Sequence, residues 1–212
     1  FITSVTFGGA TINYHGNEEQ KKSFLPKLCQ GELRSSGVFT EPGGGTDLLA
    51  LTTSANKEND TWIINGQKTF ITGALEADYL ITIVRTNKNP AKRAAAFTIF
   101  LVDAKSNGVQ INKLHKLGLW SSDTCEIFFT DVRVPQTSVI GDVDRGFYHL
   151  LDTLNNERIT VGSMAIGNAE AAFEDALEYA KQRYAFGKPI GQFQTIQNYI
   201  AQMKVEIEAA KL

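Results

Sequence analysis

Phe39-Thr-Glu-Pro-Gly-Gly-Gly-Thr-Asp47 and Ile64-Asn-Gly-Gln-Lys-Thr-Phe-Ile-Thr72 decide how this chain is read. Each sets hydroxyls and backbone amides beside a strand end, and the second adds the aromatic ring of Phe70. Groups of this kind can hold a flat, polar ring system. Gly43-Gly44-Gly45 forms neither G-x-G-x-x-G nor a Walker loop, so a Rossmann or nucleotide-triphosphate reading is rejected. Taken alone, the three glycines also fit a flexible turn, and Thr40 and Thr72 also fit ordinary strand threonines.

Around these segments, residues 35–141 read as strands. Asn65-Gly66 predicts a hairpin turn whose two central residues take positive φ. Tyr79 to Thr86, Ala95 to Val102, Gly108 to Leu114 and Cys125 to Val134 follow, rich in β-branched and aromatic residues. Asn87-Lys-Asn-Pro90 and Lys105-Ser-Asn-Gly108 supply turns. Short strands at this spacing predict a small antiparallel barrel or sandwich.

Helical patterns flank the strands. Glu18-Glu-Gln-Lys-Lys-Ser-Phe-Leu25 follows the turn signal Gly16-Asn17, and its acidic residues suit a helix start. Pro26 predicts a break or kink. From Gly146 a long helix carries apolar residues at Leu150, Leu154, Val161, Ala165, Ala169, Ala172, Phe173 and Ala176, and ends at Arg183. Tyr184-Ala-Phe-Gly-Lys-Pro189 interrupts it, and Thr195 to Lys211 resumes a helix. The chain opens inside the apolar stretch Phe1-Ile-Thr-Ser-Val-Thr-Phe7 and stops in mid-pattern at Leu212. Both ends therefore read as truncated, and a leader could have been lost with whatever preceded residue 1.

Asn155-Asn-Glu-Arg158 is the anomaly of the long helix. Glu157 follows Leu154 by three residues, about 60° around the helix, on the flank of the apolar stripe. A carboxylate facing apolar surroundings loses hydration, so its pKa should rise. A general base for an unreactive carbon acid needs that property, and such a base contributes roughly 10²–10⁴-fold. An interhelical salt bridge would use the same residue. Arg183, at a helix C-terminus, also fits as a cation favoured by the helix dipole.

Composition narrows the classes. The 212 residues carry a net charge of −2 with acidic and basic residues well mixed, which gives no nucleic-acid footprint and no electrostatic membrane anchor. The length allows one or two domains. No apolar run approaches a membrane span. Cys29 and Cys125 form no C-x-x-C, and reduced thiols fit better than a disulfide framework. His15, His115 and His149 lack metal-ligand spacing and read as structural or surface residues, so no metal site is expected.

The two opening segments, in this order and spacing, closely resemble those of the acyl-CoA dehydrogenase family, which pairs Thr-Glu-Pro-x-x-Gly-Ser/Thr-Asp with aromatic-Ile-Thr. The resemblance spans nearly the whole chain. It implies an α+β fold with a central antiparallel β-barrel or sandwich domain between two incomplete helical domains. Residues 1–34 would end the N-terminal helical domain, 35–141 would be the flavin-binding β domain, and 142–212 would be the first helices of the C-terminal domain. It also implies FAD as cofactor. Thr40 would bond the pyrimidine edge of the flavin, and Gly45 and Thr46 would line the pyrophosphate. Phe70, where Trp is usual, would pack on the ring, and Thr72 would donate near N5. Arg183-Tyr-Ala-Phe-Gly resembles the family segment that reaches the FAD of a neighbouring subunit. Arg183 would meet the pyrophosphate, and Phe186 and Gln194 the adenosine half, in a homotetramer or dimer. Ser122, Leu154 and Asn155 match positions along the CoA chain, and Arg158 stands beside them.

Glu157-Arg158 matches the isovaleryl- and long-chain-type arrangement, in which the Glu is the base. Other branches place their base later, in a segment beyond residue 212. The implied reaction is α,β-dehydrogenation of an acyl-CoA, with the α-proton going to Glu157, hydride to flavin N5 and electrons to electron-transfer flavoprotein. The implied location is the bacterial cytoplasm, or the mitochondrial matrix of a eukaryote. Gly37 and Gly73-Ala74 depart from commoner family residues near the flavin. Three rivals stand beside this reading: an enoyl-CoA reductase like the crotonobetainyl-CoA reductases, a flavin oxidase or monooxygenase, and a catalytically silent binding member.

Overall fold

The computed structural model describes residues 3–212, so the first two residues of the opening apolar stretch lie outside it. The described chain divides into two compact units, between Glu157 and Arg158.

The first unit is built on a sheet that, among the described residues, has eight strands. They are β1 (Ser35–Val38), β2 (Ser54–Glu58), β3 (Thr61–Thr72), β4 (Tyr79–Arg85), β5 (Phe97–Asp103), β6 (Val109–Lys113), β7 (Thr124–Pro135) and β8 (Val139–Ile140). Their order is β6-β7-β3-β2-β4-β5-β8, with β1 beside β4. Pairing is antiparallel except where β1 and β2 meet β4 in parallel. Period-two alternation sorts the side chains of β4 and β5 onto opposite faces. Leu80, Val84, Phe100 and Val102 enter one core with Trp62, Ile64, Ile127 and Val132. Ile81, Ile83, Phe97 and Ile99 enter a second core with Ile12 and Leu150. These two strands are thus buried on both faces, which explains their near-continuous apolar runs. Each fully buried Ile, Leu or Phe contributes about 1.5–3 kcal/mol of transfer free energy.

Helices α1 (Ala10–His15), α2 (Glu18–Gln30) and the start of α3 (Gly146–Gln182) bear on the second core. Asn17 and Gln20 close a reciprocal capping box at the head of α2. The Gln20 amide also donates to the carbonyls of Thr137 and Val139, 2.9 Å each, tying α2 to β8. Along α1, Thr11 and Thr153 share a buried hydroxyl bond of 3.1 Å. His15 stacks on His149 at 4.2 Å.

Two local expectations are corrected. Pro26 does not break α2, which runs on to Gln30. Pro26 and Lys22 are both exposed, so the carbonyl that a proline cannot bond faces water. Asn65-Gly66 is not a hairpin turn, because β3 passes straight through it with a bulge in its pairing to β7. The Asn65 side chain reaches across that bulge, donating to the Asp131 carboxylate at 3.0 Å and accepting from the Asp131 amide at 2.9 Å. The turn joining β2 to β3 is Asn59-Asp60 instead, with Asn59 at φ 54°.

The second unit comprises the remainder of α3, a two-stranded hairpin of β9 (Tyr184–Ala185) and β10 (Lys188–Pro189), and α4 (Gln194–Lys211). Phe186 and Gly187 form the hairpin turn, both at positive φ (50° and 78°), as a tight two-residue loop requires. Lys204 lies 5.7 Å over the Phe173 ring, and Lys211 pairs with Glu170, so α4 packs along α3.

Candidate active site

The two opening segments are physically fastened together. The Thr69 amide donates to the Thr40 carbonyl at 2.9 Å, and the Ser36 hydroxyl to the Thr72 carbonyl at 2.7 Å. Beside the first of these bonds lies a group that the sequence reading passed over. Lys68, with a fully buried side chain, places its ammonium 3.0 Å from Glu41 and donates to the Phe39 carbonyl at 2.9 Å. Glu41 in turn accepts from the Thr52 amide (2.7 Å), the Thr52 hydroxyl (2.8 Å) and the Thr53 amide (2.9 Å). Burial alone would push the Glu41 carboxyl up. The Lys68 ammonium and the threonine donors outweigh burial and hold it down at about 2. For Lys68 burial wins over the attraction of Glu41 and lowers its pKa to about 8. A signal for this pair was present in the sequence. Even-numbered parity from Trp62 and Ile64 aims Lys68 inward, and an inward lysine needs a carboxylate.

The pair leaves its neighbours facing outward. Phe70 sits in a bulge of β3, between Lys68 and Ile71, at φ 59° and with 68% of its surface exposed. A left-handed, bulky, exposed residue stores strain and forfeits burial, a combination that clusters at ligand sites. Thr40 is half-buried, and a Cβ on Gly45 would lie 3.3 Å from its methyl group. The Glu41–Gly44 turn closes by two backbone bonds and carries the exposed Thr46 on the same loop. Thr40, Gly45 and Thr46 thus lie on one loop, and that loop is bonded to the end of β3 that carries Phe70 and Thr72. These residues fit a flavin.

Asp123 accepts the Gly73 amide through its carbonyl (3.2 Å), and the Leu75 amide (3.2 Å) and Cys125 thiol (3.0 Å) through its carboxylate. Burial, together with this carboxylate, pushes the Cys125 thiol up to about 12. The Ser122 loop is thereby stitched to the turn that follows Thr72, and it opens on a recess of about 1170 Å³ shared with Gly73, Leu75 and Trp120.

Leu154, Asn155 and Glu157 form a separate group on α3. Leu150 and Thr153 are buried, and Leu154 and Glu157 half-buried, so Glu157 continues the inward stripe by one helical repeat. Asn155 is exposed. The Asn156 amide donates to the Tyr14 hydroxyl of α1 at 3.3 Å, in the same turn. Arg158 begins the second unit. In that unit Arg183, Phe186 and Gln194 gather at the hairpin end. The Ile190 amide bonds the Arg183 carbonyl at 2.8 Å, and Phe186 stands edge-on to Phe193 at 6.2 Å, next to Gln194. All three are exposed, Phe186 at 96%.

Among the described residues, Cys29 and Cys125 are free thiols, and no helix is long and apolar enough to cross a membrane.

Residues 36–132 match the family model "Acyl-CoA dehydrogenase, middle domain". Residues 144–212 match "Acyl-CoA dehydrogenase, C-terminal domain". The chain is 40% identical to the long-chain specific acyl-CoA dehydrogenase, mitochondrial, of Sus scrofa, over 92% of this chain and 46% of that protein. It is 39% identical to the 3-(aryl)acrylate reductase of Clostridium sporogenes, over 93% of this chain and 52% of that protein. The solved butyryl-CoA dehydrogenase of Megasphaera elsdenii superposes with a TM-score of 0.94 at 38% identity, over 99% of this chain and 55% of that one. The chain thus spans about half the length of the curated relatives it matches. The fastened β1–β3 edge, the sheet carrying it and the matches to both domain models agree, and the chain belongs to the acyl-CoA dehydrogenase family.

Proposed function

We propose that the protein catalyses α,β-dehydrogenation of an acyl-CoA thioester with FAD as cofactor and Glu157 as base. The observation that carries this reading is Phe70, held in left-handed backbone and exposed on the edge it shares with Thr40 and Thr72. FAD, when bound, supplies the two-electron acceptor. The chain supplies alignment. Thr40 and Thr72 offer hydroxyls to the ring, Phe70 packs on it, and Gly45 and Thr46 line the pyrophosphate. Ser122, Leu154 and Asn155 flank the thioester chain. Glu157, on the inward stripe of α3, takes the α-proton, which is made acidic by the thioester carbonyl. Exposure of Arg183, Phe186 and Gln194 in their own unit supports contact with the FAD of a second subunit, in a homotetramer or dimer. Electrons pass to electron-transfer flavoprotein. The free cysteines fit a reducing compartment, the bacterial cytoplasm or mitochondrial matrix.

A second reading runs the same site in the reducing direction, and the similarity to a 3-(aryl)acrylate reductase favours it. Stopped-flow mixing separates the two: bleaching of the oxidised flavin by acyl-CoA marks a dehydrogenase, and reoxidation of the reduced flavin by an enoyl substrate marks a reductase. Glu157→Gln should abolish bleaching while FAD stays bound. Undiminished turnover in that variant would move the base elsewhere.

A further inference from the structure

We propose that the buried Glu41–Lys68 ion pair is the positioning device of the ring-binding edge, locking the Thr40 loop against the bulge that presents Phe70. The inference rests on the flavin reading and assigns to this pair the register of that site.

The geometry has three parts. First, the pair is interior: the Lys68 side chain has no exposed surface and that of Glu41 4%. An ion pair so placed is weak evidence for stability, since apolar residues of similar volume often do as well or better. Second, its bonds are directional and run to three separate stretches of chain. Lys68 on β3 holds Phe39 and Glu41, which follow β1, and Glu41 holds Thr52 and Thr53 before β2. Apolar packing tolerates sliding between strands, whereas fixed donor and acceptor positions do not. Third, the pair is adjacent in sequence to residues that would touch the ring. Thr40 precedes Glu41, Phe70 follows Lys68 by two residues, and the Thr69 amide between them bonds the Thr40 carbonyl. Loss of the pair frees the loop to shift against the bulge while leaving both apolar cores intact.

The test uses the full-length holoprotein and three variants: Lys68→Met, the double change Glu41→Gln with Lys68→Met, and Ile140→Ala, a core truncation on β8, which pairs with β5 and makes no bond to the ion pair. Melting of the apoprotein, the FAD dissociation constant and the visible circular dichroism of the bound flavin are read for each. Lys68→Met should lower the melting temperature, because it strands the Glu41 carboxylate, and should weaken FAD binding. The double variant should recover most of the melting temperature, yet bind FAD about ten- to a hundredfold more weakly, with altered flavin dichroism. Ile140→Ala should melt lower and keep both flavin readouts. Wild-type FAD affinity and dichroism in the double variant would overturn the positioning role, as would an equal loss of FAD affinity in Ile140→Ala. A wild-type protein that takes up no FAD would overturn the flavin reading and this role together.

Discussion

Replacing Gly66 with alanine distinguishes a position paired inside β3 from an exposed hairpin turn. Gly66 has φ 146°, and a Cβ there would lie 2.7 Å from both Cα and Cβ of Thr53. Thr53 cannot yield freely, because it is 1% exposed, its amide bonds Glu41 and its hydroxyl bonds the Gln67 carbonyl at 3.2 Å. Backbone strain of about 1–3 kcal/mol and overpacking of about 1–3 kcal/mol together give a loss of about 2–6 kcal/mol. At about 2–4 °C per kcal/mol for a domain of this size, the melting temperature should fall by about 4–24 °C. In a solvent-facing two-residue turn the same change would cost only about 1–2 kcal/mol, for the left-handed backbone alone. Thermal and urea melts of Gly66→Ala provide the measurement. A fall of only a degree or two would refute the close approach to Thr53. Because Thr53 holds Glu41, the variant should also retain FAD less well than its stability loss alone implies.

Two further outcomes are expected. The Glu41 carboxyl sits at about 2 in the fold against 4.5 as a free side chain. A depressed carboxylate contributes stability that is complete above pH 4.5 and is lost as pH falls from there towards 2. Melts between pH 6 and pH 3 should therefore decline less steeply in Glu41→Gln than in the wild type, and parallel curves would contradict the assignment. Phe70→Gly should melt close to the wild type, because relief of a left-handed backbone, about 1–2 kcal/mol, roughly offsets the entropy glycine adds to the unfolded chain, about 0.5–1 kcal/mol. The same variant should bind FAD more weakly, and a large fall in the apoprotein's melting temperature would make the ring a structural residue instead.

Much of the sheet was legible because its strands carry β-branched and aromatic runs: Tyr79–Arg85, Phe97–Asp103, Val109–Lys113 and Thr124–Pro135 fall within a residue or two of where composition put them. β1 and β2 were not singled out, since Ser35-Ser-Gly-Val38 and Ser54-Ala-Asn-Lys-Glu58 have too few apolar residues to announce a strand. They form through pairing with β4 and β3 rather than by propensity. Asn65-Gly66 misled for a related reason: the dipeptide satisfies a hairpin turn locally, but the Asn65 side chain finds a better partner in Asp131, which is 66 residues away in the chain. At the site, Thr40, Gly45, Thr46, Phe70 and Thr72 are readable as motifs, while the interior pair beside them shows in the sequence only as a lysine of inward parity on β3, whose partner Glu41 the fold alone supplies.

Local chemistry therefore determined what kind of protein this is. Hydroxyls and glycines beside strand ends, an aromatic two residues after a lysine, and an acidic residue on the flank of an apolar helical stripe are short-range patterns that survive without a fold. Tertiary structure alone decided how these patterns meet: that Lys68 is buried against Glu41, that a bulge turns Phe70 outward, and that Asp123 draws the Ser122 loop to Gly73. Those contacts join residues far apart in the chain. Their energies depend on burial and directed hydrogen bonds, which exist only once the strands have paired.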